Sequence, residues 1–225
     1  MNNHEKQRVS GVESEEVKIT TIDLLRHGEC IDGQCYRGST DVALSFSGFQ
    51  KMEQHIAAFL EERHEQKPPW DSIVTSPLVR CLDFSKKLAH QHNIPLTLDA
   101  GFKEMHFGEW EGQSIKSVWA SQPKAVEAWV ANPITSPPPS GEAVDVFAKR
   151  VLGAFDAAIS NYMGEHFLLV SHGGVMRVLL VHCLGMPLLE LNRFDIPYAC
   201  ISRIQVVTDQ GKNYYRLLMH NVGVE

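Results

Sequence analysis

Three short apolar runs, each closing on a polar cluster, constrain what this chain can fold into. The runs are residues 19–25, 73–75 and 167–170. The clusters after them are Arg26-His27-Gly28-Glu29, Ser76-Pro77-Leu78-Val79-Arg80 and Ser171-His172-Gly173-Gly174. A strand covered on both faces reads as a continuous apolar run rather than an alternating one, as in parallel sheets. Between the runs the pattern turns helical: Ser45 can cap a helix carrying Phe46, Phe49, Met52, Ile56, Phe59 and Leu60. A second helix, from about 142 to 163, puts Phe147, Val151, Leu152, Phe155 and Ile159 on one face. Ser76 as cap and Pro77 as first helical residue place Arg80 in a helix's first turn, and another helix follows over 175–184.

Alternating strands and helices predict an α/β fold, a three-layer α/β/α sandwich with a mainly parallel central sheet. Residues 94–98 add a strand. Residues 200–207 and 214–219 flank Asp209-Gln210-Gly211-Lys212 and predict a C-terminal hairpin at the sheet edge. Residues 114–139, with Trp119, Trp129 and Pro137-Pro138-Pro139, read as a small cap over the strand carboxyl ends.

The 225 residues fit one domain, taken as 17–225, behind a polar, acidic and disordered tail over 1–16. Five cysteines without a CxxC spacing argue against a disulfide framework or zinc ribbon and for a cytoplasmic location. Lys and Arg total 21 against 27 Asp and Glu, a net charge of -6, which argues against a nucleic-acid partner. No apolar stretch reaches the ~18 residues of a membrane span. The expected partner is a small molecule, with a homodimer left open.

Open α/β sheets bind ligands at their strand carboxyl ends. There the three clusters deliver two arginines and two histidines, a set suited to one doubly charged phosphoryl group. Guanidinium forks match phosphate oxygens bidentately, so Arg26 and Arg80 are candidate clamps. A neutral imidazole at His27 or His172 can attack phosphorus while the other donates to its oxygens. The N–H groups of Gly173 and Gly174, opening a helix, are further candidate donors. The loop 101–112 offers Glu104, Glu109 and Glu111 as acids, and the spacing of Glu104 to Phe107-Gly108 favours it. No cysteine has an arginine six residues later, and neither Asp-x-Asp nor G-x-S-x-G occurs, which removes three rival hydrolase chemistries. His55, His64, His90 and His92 read as solvated helix residues.

Together with Glu104-x-x-Phe107-Gly108-x-Trp110-Glu111-Gly112, these motifs resemble the histidine phosphatase (phosphoglycerate mutase-like) superfamily over roughly residues 19–185. The resemblance implies a phosphate monoester hydrolase without metal or cofactor. It implies that His27 becomes a phosphohistidine and that Arg26, Arg80 and His172 bind the phosphoryl group. Glu104 would protonate the leaving oxygen and then activate water.

Residues 36–45 resemble, more narrowly, α-ribazole-5′-phosphate phosphatases of cobalamin biosynthesis. Many family members carry an asparagine where this chain has Gly33. Arg37, or backbone near Ser39, is the expected substitute, so Arg37, Ser39, Gly173 and Tyr36 complete the expected substrate-binding set. Tyr36, Phe107, Trp119 and Trp129 are candidates for an aromatic wall. Alternatives are a broad-specificity phosphatase, a phosphoglycerate mutase-like enzyme and a non-catalytic phospho-ligand binder. Between Glu111 and Glu142 the only cations are Lys116 and Lys124, which disfavours a mutase and small carboxylated phosphates.

Overall fold

A computed structural model describes residues 16–64 and 67–222; the expected tail, save Glu16, lies outside the described residues. In chain order the elements are β1 (Lys18–Arg26), α1 (Phe46–Glu61), β2 (Ser72–Thr75), α2 (Val79–His92), β3 (Leu96–Leu98), α3 (Ile115–Ser121) and α4 (Pro123–Ala131). Then come α5 (Val144–Asn161), β4 (His166–Ser171), α6 (Gly173–Cys183), β5 (Ile201–Asp209) and β6 (Lys212–Val222). The strand order is β3-β2-β4-β1-β5-β6. The first four strands run parallel, and β5 and β6 add the expected antiparallel hairpin at the edge. Among the described residues no helix is long and apolar enough to cross a membrane.

Alternation along the central strands accounts for the layers. Ile22 and Leu24 of β1 with Phe167 and Leu169 of β4 face one core, shared with Val151 and Phe155 of α5 and Val178 of α6. Leu25, Leu168 and Val170 face the other, shared with Met52 and Phe59 of α1 and Phe84 and Leu88 of α2. Both faces are covered, so apolar residues of these strands fill a core on either side. The path leaves β1 in one direction, through α1 to β2 and α2 to β3, and returns through α5 to insert β4 between β2 and β1. Right-handed crossovers then put α1 and α2 on one face and α5 on the other. The reversal makes the β1/β4 boundary the switch point where a ligand cleft opens.

Two local expectations are corrected. The helix after β2 starts at Val79 with Leu78 in the capping position, not at Pro77 after Ser76, because the Ser76 hydroxyl lies 2.8 Å from His172 Nε2. Arg80 remains in the first turn. His55 is buried rather than solvated, its Nδ1 2.8 Å from the Ala199 carbonyl. The cap has its own small core, in which Trp110, Val118 and Val126 pack together and Trp110 Nε1 donates to Gln122 over 3.0 Å.

One charge sits inside the second core. Asp23 is fully buried and accepts from Arg203 Nε at 2.6 Å and Nη2 at 2.8 Å and from Trp70 Nε1 at 2.7 Å, with His166 Nε2 at 2.9 Å. Burial alone would raise its pKa, but the Arg203 and His166 bonds outweigh it and hold the carboxyl below its ordinary value. Its stabilising contribution is therefore complete above the unfolded carboxyl pKa of about 3.9 and is lost as pH falls through the lower folded value. Asp23→Ala, which removes the carboxylate shared by Arg203, Trp70 and His166, is expected to cost about 3 kcal/mol or more in urea unfolding at pH 7. The gap between variant and parent should shrink below pH 4; a gap that stays constant with pH would show that the loss is one of packing.

Candidate active site

The register of the parallel strands assembles the site. Arg26 is opposite Ser171 and Thr75 opposite Val170, so β1, β4 and β2 end at one level. The His27 N–H donates to the Ser171 carbonyl (3.0 Å) and the Ser76 N–H to Val170 (3.0 Å), which carries the pairing one residue further. His27 and His172 become neighbours, with ring centroids 5.2 Å apart. Gly28 makes the turn possible because a Cβ there would fall 2.2 Å from the Gly48 carbonyl oxygen of α1.

The two histidines are in different states of engagement. His27 Nδ1 is 2.7 Å from the Gly28 carbonyl, which can only accept, so Nδ1 carries the proton and Nε2 keeps its lone pair. Burial first, then the charges of Arg26 and Arg80, push its pKa well below 6.5, and the ring is neutral at pH 7. His172 accepts at Nδ1 from Arg80 Nε (3.2 Å), so its Nε2–H donates to Ser76. Burial, then Arg80 and His27, lower its pKa as well.

A cavity of about 460 Å³ opens above these strand ends. Arg26, His27, Tyr36, Arg37, Glu104 and Gly173, six of the nine expected site residues, line it. Arg80, His172 and Ser39 do not. Arg80 and His172 are fully buried and form a layer beneath the cavity. Arg80 donates to the carbonyls of Thr40 (2.8 Å) and Gly38 (2.7 Å) as well as to His172, which commits three of its five N–H groups. The Ser39 N–H is taken by Glu111 at 3.0 Å, and the residue borders a shallower neighbouring cavity, so it does not stand in for the absent asparagine. Arg37 is the cation nearest that role, but Asp32 and the Gly33 carbonyl hold its guanidinium.

Of the three carboxylates in the loop, only Glu104 reaches the cavity. Its Oε2 accepts from the Gly174 N–H (3.0 Å) at the start of α6, where a carboxylate suits the helix dipole. A Cβ on residue 174 would lie 2.3 Å from Glu104 Oε1, so a larger residue there would push the Glu104 carboxylate from this position. Gly174 is thus committed to Glu104 and is not a free phosphate donor. Glu109 binds Ser140, and Glu111 accepts from the N–H groups of Gly38, Ser39, Thr40 and Phe107. Partial burial would raise the Glu111 pKa, but the Thr40 hydroxyl and these N–H donors hold it below the ordinary value.

Tyr36, Phe107 and Trp129 line the cavity as an aromatic side, whereas Trp119 lies outside it and is 40% exposed. Tyr198 and Arg177 are among the wall residues that sequence reading missed. Tyr198, before β5, stacks its ring 4.1 Å from the Arg26 guanidinium and 5.7 Å from the His27 ring. Arg177 lines the cavity as well. Its four-residue spacing from Gly173 was the signal, since it sets both on one face of α6.

Known proteins share this chain's sequence pattern and fold. The sequence profile of the histidine phosphatase superfamily (branch 1) matches residues 22–218. The adenosylcobalamin/alpha-ribazole phosphatase of Escherichia coli is 27% identical over 187 residues, covering 81% of this chain and 88% of its own. The crystal structure of the alpha-ribazole phosphatase from Shigella flexneri superposes with a TM-score of 0.74 at 25% identity, covering 91% of this chain and 99% of that one. A structure named mycobacterial hydrolase 2 shares the fold with a TM-score of 0.80 at 23% identity, over 92% and 93% of the two chains. The chain belongs to the histidine phosphatase superfamily, branch 1, and is a phosphatase.

Proposed function

We propose that the chain hydrolyses phosphate monoesters through a phosphohistidine on His27. The observation that carries this is the Nδ1–Gly28 hydrogen bond, which leaves a neutral, buried ring with its Nε2 lone pair free. Nε2 attacks phosphorus, the bond from phosphorus to the ester oxygen breaks, and the Glu104 carboxyl passes its proton to the departing oxygen. The Glu104 carboxylate then takes a proton from water as that water attacks phosphorus. The P–N bond breaks, releasing phosphate and restoring His27. Arg26 faces the phosphoryl oxygens directly. Arg80 and His172 act from beneath, and two uncommitted N–H groups of Arg80 remain for those oxygens.

For the substrate, α-ribazole 5′-phosphate is the first ester to test. The aromatic side formed by Tyr36, Phe107 and Trp129 suits a flat substituted ring, and the Escherichia coli and Shigella flexneri relatives bear that substrate's name. A second reading, a small carboxylated ester, is favoured by Arg177, because the cation that the cap lacks comes from α6 instead.

His27→Ala is expected to lower kcat on p-nitrophenyl phosphate by at least ~10³-fold, about 4 kcal/mol of barrier. Label transferred from a phosphate ester should be acid-labile and alkali-stable, as in a phosphoramidate. An alkali-labile adduct would mean that a carboxylate is the nucleophile.

Glu104→Gln should depress turnover of alkyl phosphates more than that of p-nitrophenyl phosphate, whose leaving group needs little protonation. Equal losses on both would remove Glu104 as the acid. The comparison with Glu109→Gln, outside the cavity, shows whether the leaving-group effect is specific.

Across α-ribazole 5′-phosphate, nucleoside monophosphates, 3-phosphoglycerate and phosphoserine, the cobalamin reading requires kcat/KM to favour the first by at least ~10-fold. A flat profile would indicate a broad-specificity phosphatase, and isomerised phosphoglycerate a mutase.

A further inference from the structure

Arg177 is placed where a cation is electrostatically costly. Side chains of a helix lean toward its N-terminus, so Arg177, one turn along from Gly173, reaches back to the end of α6 that already carries partial positive charge. A second guanidinium is waiting there. A Cβ built on Gly173 would lie 3.2 Å from Arg177 Nη1 and 3.3 Å from Arg26 Nε, so both cations close on the same backbone position. The Nε atoms of Arg26 and of Arg177 are each buried without a hydrogen-bond partner. Burial and then the charge of Arg26 push the Arg177 pKa below its ordinary value, opposed by Glu104 and Asp195.

The start of α6 brings the relevant groups together. Arg26 and Arg177 close on Gly173, and Glu104 is held by the N–H of Gly174, the next residue. All three side chains line the cavity. Arg177 therefore stands beside the proposed acid. In an in-line displacement the ester oxygen departs on the side away from His27, toward Glu104. The substrate atoms beyond that oxygen meet Arg177. Arg37 cannot serve the same purpose, because Asp32 already neutralises it.

We propose that Arg177 is the specificity-determining residue of the cavity and binds a carboxylate carried on the leaving group close to the ester oxygen. The inference rests on the phosphatase reading above and takes up its second substrate reading, a carboxylated monoester, in place of α-ribazole 5′-phosphate, whose leaving group has no carboxylate. A guanidinium accepts a carboxylate bidentately, and an alcohol in its place leaves one buried cation unpaired.

The test uses two pairs of esters that differ at one group. Phosphoserine differs from phosphoethanolamine by the carboxylate, and 3-phosphoglycerate differs from glycerol 3-phosphate by a carboxylate in place of a hydroxymethyl. The unaltered protein should favour the carboxylated member of each pair by at least ~10-fold in kcat/KM. In Arg177→Met that ratio should collapse toward one, and Arg177→Lys should restore part of it. No preference in the unaltered protein overturns the proposal without any variant. So does an equal loss on both members in Arg177→Met, which would place the residue in phosphoryl binding or in folding. If the protein turns over none of the four esters and His27 takes no label from p-nitrophenyl phosphate, the phosphatase mechanism itself fails, a different result from activity without preference.

Discussion

The parallel pairing of β1 with β4 is the constraint on which the rest depends. It sets Arg26 level with Ser171, and the one-residue extension from His27 to Ser171 brings two imidazoles within 5.2 Å. Slipping the register by one residue would reverse which side chains face each core, so the positions of His27 and His172 are fixed by the same apolar alternation that fills both layers. Site geometry and core packing share one register, and neither can drift without the other.

Grouping these polar residues at the strand ends exacts a cost in burial. Two histidines and Arg80 lie almost wholly out of water, and the structure meets the cost by keeping both rings neutral and giving Arg80 three acceptors. The buried Asp23 with Arg203 follows the same principle within the second core, as a paired charge. Arg26 and Arg177 depart from it. Their unpartnered nitrogens mark the part of the cavity that the protein leaves for an anion to complete.

Much of this was legible in the chain because it is local. Apolar runs gave the strands, their closing residues gave Arg26, His27 and His172, and the spacing to Phe107-Gly108 picked Glu104 from three carboxylates. The illegible part depends on distant chain. That Arg80 would spend its fork on Gly38 and Thr40 carbonyls is set by a loop some forty residues earlier. Ser39 was misplaced for the same reason, since Glu111 claims its N–H from seventy-two residues away. Tyr198 comes from an irregular connection with no motif. Arg177 was overlooked because the count of cations stopped at the cap, although its spacing from Gly173 was visible.

The segment 38–40 lies between two opposite charges without neutralising either directly. Its N–H groups point to the Glu111 carboxylate and its carbonyls to the Arg80 guanidinium. The peptide groups are aligned like links in a polarised chain, so a cation under the cavity floor and an anion in the loop 101–112 are joined through main chain alone. Side chains along the segment take almost no part in that link, apart from the Thr40 hydroxyl. A lineage can therefore change the side chain at position 39 while the electrostatic tie is inherited unchanged, whereas position 38 stays glycine because a Cβ there would fall 1.9 Å from the Met105 carbonyl oxygen.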